Sequence, residues 1–221
     1  RLGLVTIGQA PRVDLLGDVW PLLRDYDVVE RGALDDLDAD GLAAIAPPEG
    51  EHALVSRLRD ATFTRIDPGR ILPLVDAAVD RCVADGAGVV LILCTGRLAL
   101  RPASIPVLHA EEVAHEAVAA DLGSACLGVL CPLPEQVADM SARWRERLGR
   151  PALVAAVNPY ASSVADIRAA ADELAAAGAD RLFLDCIGYS EAQREAAAGS
   201  GIPASTARSL AVEGLVRRIP A

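Results

Sequence analysis

Two thiols stand in the same kind of place in this chain. Val89-Val90-Leu91-Ile92-Leu93 runs straight into Cys94-Thr95-Gly96, and Arg181-Leu182-Phe183-Leu184 runs into Asp185-Cys186-Ile187-Gly188. Each apolar run follows a helical pattern and a Gly-containing turn, so each cysteine is expected at the C-terminal tip of a buried strand, where open parallel sheets bind ligands. With Thr-Gly or Ile-Gly opening the next helix, the sulfur would lie beside unpaired N–H groups and a positive helix end, a setting that favours the reactive thiolate. The same N–H groups can hold a carboxylate or a developing enolate oxygen. Two thiols on opposite sides of one carbon suit paired proton transfer: one thiolate removes the proton alpha to a carboxyl or carbonyl, and the other thiol delivers a proton to the opposite face. A stereocentre is thereby inverted without metal or cofactor. One strand-end cysteine alone is ordinarily a small buried hydrophobe; the repeat of the pattern, each time with x-Gly after it, favours chemistry. Cys82 in a helix, Cys126 inside a strand and Cys131 at the end of another read as packing, with Cys131 able to line the site without acting as a base.

The remaining candidates occupy the other strand tips. Arg12 offers a fork for a substrate carboxylate, and Gln9 a hydrogen-bonding amide. Thr95 offers a hydroxyl, set against the simpler reading of a helix N-cap. Gly96, Ile187 and Gly188 supply backbone around the thiols, Pro132 marks the matching tip of the second half, and Asn158 and Tyr189 complete the substrate-binding set, Asn158 being equally explained by turn formation before Pro159. Glu135 reads as a helix-start charge. Asp185 fixes its loop, since alternation points its side chain away from that of Cys186. Arg57 and Arg59 either cover the site or serve a subunit contact. His109 and His115 are six apart and do not share a helix face, so no metal site is expected, and no G-x-G-x-x-G, H-E-x-x-H or G-x-S-x-G occurs.

Positioning these residues requires strands alternating with helices. The reading is a strand over Leu2–Gly8, a helix from Pro11 to Arg24, a strand from Tyr26 to Gly32 and a short helix from Leu37 to Ile45. A β-hairpin about 53–66 is inserted next, then a helix capped by Asp67-Pro68 that runs to Ala84 and feeds the Cys94 strand. A short strand over Ile105–Leu108 and a helix from Glu111 to Asp121 follow. A second cycle places strands at Ser124–Cys131, Pro151–Val157, Arg181–Cys186 and Ile202–Ala204, with helices to Leu148, over Ser163–Ala177 and over Thr206–Arg218. The opening Leu2–Pro11 aligns loosely with Leu127–Pro134, and the two cysteine strands align as well. The expected fold is therefore α/β, two pseudo-symmetric lobes, each a parallel sheet flanked by helices, with the hairpin in the first. The expected division is 1–98 with 206–221 for the first lobe and 99–205 for the second.

Bulk properties narrow the partners. The chain has 221 residues, 52% apolar but only 3% aromatic, so its core is Val, Leu, Ile and Ala. A net charge of −10 argues against a nucleic-acid surface. No apolar run approaches the roughly 18–20 residues of a membrane span, and no signal pattern is visible, which with an odd number of irregularly spaced cysteines points to reduced thiols in the cytoplasm. All 21 basic residues are Arg. Without lysine there is no Schiff-base, pyridoxal-phosphate or P-loop chemistry. A homo-oligomer is compatible with all of this.

Thr6-Ile7-Gly8-Gln9-Ala10-Pro11-Arg12 with Asp14, Leu54-Val55-Ser56-Arg57-Leu58-Arg59-Asp60, Cys94-Thr95-Gly96 and Asp185-Cys186-Ile187-Gly188-Tyr189 together resemble the AroM family across essentially the whole chain. More distantly, the two-cysteine layout is similar to the aspartate/glutamate racemase superfamily. That resemblance implies two pseudo-symmetric α/β halves, cofactor-independent chemistry, and Cys94 and Cys186 as the catalytic pair; the superfamily's first-loop motif is replaced here by Gln9-Ala10-Pro11-Arg12. The expectation is a racemase or isomerase of a small carboxylate-bearing molecule, an amino acid or a cyclic derivative. Its rival is a non-catalytic small-molecule-binding or regulatory protein linked to aromatic amino-acid metabolism.

Overall fold

The computed structural model describes residues 1–219, with Leu16 described by its backbone alone. The chain divides into two units, 1–113 with 211–221, and 114–210.

In the first unit β1 (Leu2–Thr6) is buried at all five positions, the continuous apolar run of a strand covered on both faces. It leads through an irregular loop to α1 (Val13–Leu23), whose N-cap is Arg12. Pro11 thus precedes the helix instead of occupying its first turn. β2 (Val28–Gly32), α2 (Ala39–Ala44) and the hairpin strands β3 (Leu54–Arg57) and β4 (Phe63–Ile66) follow. The hairpin is antiparallel, with Leu54 opposite Ile66 and Arg57 opposite Phe63. α3 (Leu72–Ala84) starts later than its expected cap because Asp67 Oδ1 closes a turn of its own on the N–H groups of Gly69 (2.8 Å) and Arg70 (2.9 Å). β5 (Val89–Leu93) and β6 (Val107–His109) complete a parallel sheet in the order β2-β1-β5-β6. The expected boundary at 98/99 puts β6 in the second lobe, whereas it pairs with β5, Val90 opposite Val107. A strand of three residues cannot stand alone, and β5 offers the ladder edge that β1 leaves open.

The chain passes into the second unit within α4 (Ala110–Leu122) and returns within α8 (Ala207–Arg218). Between them lie β7 (Leu127–Cys131), a 3-10 turn at Pro134–Gln136, α5 (Val137–Leu148), β8 (Leu153–Ala156), α6 (Val164–Ala176), β9 (Arg181–Leu184), α7 (Glu191–Ala198) and β10 (Ala204–Thr206). α6 and α7 both start on capping boxes, Ser163 with Asp166 and Ser190 with Gln193. α7 is absent from the sequence reading. Its eight residues are too few to establish a period, although the Ser190-x-x-Gln193 signature is present. The sheet is again parallel, ordered β10-β9-β7-β8.

Counted within its own unit, each sheet reads 2-1-3-4. The order reverses between the first and third strands, and the crevice beyond the carboxyl ends at such a reversal is where doubly wound sheets take ligands. Cys94 directly follows the third strand of the first unit, and Cys186 lies two residues past that of the second.

Candidate functional site

Cys94 is 7% exposed, and its sulfur accepts the N–H of Gly96 at 3.2 Å. A side chain at position 96 would place its Cβ 3.3 Å from that sulfur and 2.5 Å from Leu54 Cδ2, so only glycine lets β3 approach the thiol this closely. Thr95 is buried, but no helix follows it: residues 95–106 are irregular, so the expected helix N-terminus beside Cys94 is absent and the loop's own amide meets the sulfur.

Cys186 repeats the device. It is 8% exposed, and Gly188 N–H reaches its Sγ at 3.3 Å. Here too the next helix, α7, begins only after a loop. A Cβ on Gly188 would fall 2.5 Å from Tyr160 Cζ and 2.9 Å from Pro159 Cγ. Ile187 is buried, and the carbonyls of Ile187 and Gly188 accept Arg208 Nε (3.0 Å) and Nη2 (2.8 Å), from a guanidinium that is itself 1% exposed. Arg208 is a residue the sequence reading missed; only a motif linking the last helix to the Cys186 loop would have signalled it. Tyr189 is fully buried and donates its hydroxyl to Val157 O at 2.5 Å, so it ties the loop to the end of β8. Burial pushes its phenol well above the usual tyrosine range.

The other thiols behave differently. Cys131 is buried, and its S–H donates to Leu133 O at 3.6 Å; burial, with Asp185 adding to it, pushes the thiol up to about 12. Burial likewise raises Cys82 in α3 to about 11. No disulfide joins any of the five among the described residues.

The first-loop residues, expected on substrate, carry hydrogen bonds within their own unit. Arg12 is 3% exposed and its fork is already closed on Asp14, Nε to Oδ1 and Nη2 to Oδ2, both at 2.8 Å, while Nη1 reaches Thr6 Oγ1 at 3.1 Å. The short i,i+2 spacing across the helix start brings the two together. Gln9 donates Nε2 to Leu34 O (3.2 Å) and accepts Arg59 N–H (3.0 Å). Arg59 in turn binds Ala10 O (2.5 Å) and Asp35 Oδ1 (2.7 Å), and Asp35 accepts the N–H groups of Ala10 and Gly32. This clasp joins the loop after β1, the loop after β2 and the hairpin. Asp35, the second missed residue, reads from sequence as a plain turn aspartate.

At the tips of the second unit Pro132 is buried after β7, and Asn158 Oδ1 accepts Tyr160 N–H at 2.9 Å in a side-chain turn. Asp185 is fully buried; its Oδ2 lies 2.8 Å from His115 Nε2 and accepts Trp144 Nε1–H at 3.2 Å. The His115 and Trp144 rings stack at 4.4 Å, with Phe183 edge-on to both. Asp185 therefore anchors the strand end against an aromatic cluster, and His115 is committed to it.

Residues 2–216 match the family described as AroM protein. The chain belongs to the AroM family. No curated protein matches its sequence. The AroM chain is similar in structure to a liganded double mutant of arylmalonate decarboxylase, at 16% identity and TM-score 0.65 over 98% of this chain and 91% of that one. It is also similar to allantoin racemase from Klebsiella pneumoniae (15%, 0.59, 98% and 86%) and to glutamate racemase from Aquifex pyrophilus (14%, 0.64, 99% and 84%). At these identities the likeness shows the fold alone.

Proposed function

We propose that this AroM-family chain is a cofactor-independent racemase or isomerase of a small carboxylate-bearing molecule, an amino acid or cyclic derivative, with Cys94 and Cys186 as its acid/base pair. The supporting observation is the duplicated device: in each unit a cysteine just past the third strand holds its sulfur against the N–H of the glycine two residues on, at 3.2 and 3.3 Å. An N–H donor at sulfur favours the thiolate, while burial, with Asp185 adding to it, holds Cys131 as a thiol.

In the proposed reaction one cysteine thiolate takes the proton alpha to the carboxyl or carbonyl, leaving an enolate-like carbanion. The other cysteine gives its S–H proton to the opposite face. The pair ends with its protonation states exchanged, and reversal regenerates it. Because the side chains of Gln9 and Arg12 are committed within the first unit, main-chain N–H groups of the tip loops and the Asn158 amide, whose Oδ1 is already taken, are assigned to the substrate carboxylate. Thr95, Gly96, Pro132, Ile187 and Gly188 form the surroundings of the two thiols, with Tyr189 supporting them from behind. The reduced thiols fit a cytoplasmic protein.

The test is deuterium incorporation from D2O into a panel of amino acids, hydantoins and dicarboxylates, repeated with Cys94→Ser and Cys186→Ser. Exchange with at least one panel member that both substitutions abolish is expected. Exchange that survives both removes the thiol pair, and no exchange with any member favours a binding or regulatory protein that keeps the fold.

A further inference from the structure

The Ile187–Gly188 peptide group is bonded at both ends. Its N–H, that of Gly188, points at Cys186 Sγ (3.3 Å), and its C=O, that of Ile187, accepts Nε of the buried Arg208 (3.0 Å). Arg208 Nη2 holds the next carbonyl, Gly188 O, at 2.8 Å, so the fork grips two successive peptide groups. The guanidinium is 1% exposed, and carbonyls in such a place receive a charge-assisted donor little screened by water. Its helix is held in turn. Thr206 and Ser209, either side of Arg208, donate their hydroxyls to Glu191 Oε1 at 2.7 and 2.6 Å, which pins the first turn of α8 to the first turn of α7.

We propose that Arg208 is a positioning residue for Cys186, acting through that one peptide group: a positive charge on the carbonyl strengthens the N–H on the other side, and the strengthened N–H stabilises sulfur as thiolate. Hydrogen bonds in series polarise one another in this sense. The relay rests on Cys186 being one of the two acid/base thiols only for its catalytic meaning; the effect on the sulfur stands without turnover.

The other groups facing Cys186 make such a relay necessary. Asp185 precedes it with a buried carboxylate held by His115 of α4 and Trp144 of α5, Cys131 faces it from the tip of β7, and Tyr160 and Tyr189 close the loop with phenol groups. On α7, Glu191 is satisfied by Arg194, Thr206 and Ser209. The nearest carboxylate therefore opposes a thiolate at residue 186. Arg208 is the cation whose contacts run directly to that loop.

The test is a thiolate titration followed by ultraviolet absorbance on the full chain, each protein measured against its Cys186→Ser counterpart so that the difference reports Cys186 alone. In Arg208→Gln the Cys186 midpoint should rise by about one pH unit, the scale of one lost charge-assisted hydrogen bond. Arg208→Lys, which keeps the charge but reaches fewer acceptors, should fall between that variant and the parent. An unchanged midpoint in either variant with native circular dichroism overturns the proposal. Should neither fold, NMR of the parent chain decides. The Gly188 amide proton and the Arg208 Nε proton must both shift along the Cys186 titration, and an Arg208 resonance indifferent to the thiol overturns the relay. Failure of the D2O exchange experiment would remove the racemase reading and leave this result untouched.

Discussion

The difference of Cys82 and Cys131 from Cys94 and Cys186 has a sharp consequence for reactivity. Cys131 is held up to about 12, chiefly by burial and further by Asp185, and Cys82 to about 11, again chiefly by burial. At pH 8 a group at about 12 is four units short of its midpoint, so only about one Cys131 in 10,000 is thiolate, against about one in 1,000 for Cys82 and about a quarter of an ordinary thiol near 8.5. Since the thiolate is the species that alkylates, Cys131 should react with iodoacetamide ~2,000-fold more slowly than an ordinary thiol and Cys82 ~200-fold more slowly. Peptide-resolved mass spectrometry between about pH 7 and about pH 10 gives each rate separately. The shape of the curve distinguishes acidity from mere burial. A thiol of raised pKa gains about tenfold in rate per pH unit across the whole range, whereas a thiol slowed only by access levels off near 8.5. A Cys131 or Cys82 curve that flattens by about pH 9 would refute the reasoning, and with it the claim that desolvation sets these two apart from the thiols that accept an N–H.

The loop after β1 and the helix that follows it make two opposed predictions about glycine. A Cβ at Gly8 would stand 2.4 Å from Arg57 O and from Ser56 Oγ, and bringing those contacts to 3.0 Å means moving backbone by at least 0.6 Å (3.0 − 2.4); Gly8→Ala should cost about 2–4 kcal/mol in chemical denaturation, and a loss under about 0.5 kcal/mol would mean β3 does not lie on the β1 loop. Gly17, in the middle of α1 with nothing within 4 Å of its would-be Cβ, should gain about 1 kcal/mol as Ala. Glu191 adds a pH dependence: burial raises its pKa, but hydrogen bonds from Ser209, Arg194 and Thr206 outweigh that and hold it below 4.5. A depressed carboxylate stabilises above its unfolded pKa and stops doing so as pH falls through the folded one, so thermal denaturation of Glu191→Gln should lose the part of the acid-side decline that the parent shows below about pH 4.5; parallel curves for the two proteins would refute it.

What the sequence made legible was whatever local pattern encodes. The unbroken apolar runs of β1, β5 and β7 identify strands covered on both faces, and the loose match of Leu2–Pro11 to Leu127–Pro134 is borne out by a shared 2-1-3-4 strand order. The cysteine tips were legible for the same reason, since a strand end and its x-Gly turn occupy neighbouring positions. What local pattern does not carry is long-range. Gln9 is expected on substrate because it is polar and at a tip, and its hydrogen bonds to Leu34 and Arg59, 25 and 50 residues away, leave no trace in local pattern. Arg208 meets Ile187 across 21 residues, and no periodicity reports a guanidinium on a carbonyl. β6 pairs with β5, against the expected boundary at 98/99, and a three-residue strand carries too little pattern to say which edge it joins.

The same distinction bears on how the two thiols should be compared. Duplication of an α/β unit copies what is local, and the sulfur–glycine contact is local: 3.2 Å in one unit and 3.3 Å in the other. It does not copy what supports the loop from elsewhere in the chain. Behind Gly96 stands Leu54 of an inserted hairpin, an apolar side chain; behind Gly188 stand Tyr160 and the two carbonyl contacts of Arg208. Equal first contacts with unlike supports give two thiols that are alike in geometry and different in electrostatics. In the proposed reaction the two thiols exchange protonation states at each turnover, so both states must be reachable, and unlike supports bias which thiol holds the proton at rest. The residues that set this bias are therefore to be sought among the supports, in the hairpin and the last helix, and not among the strand tips that first draw the eye.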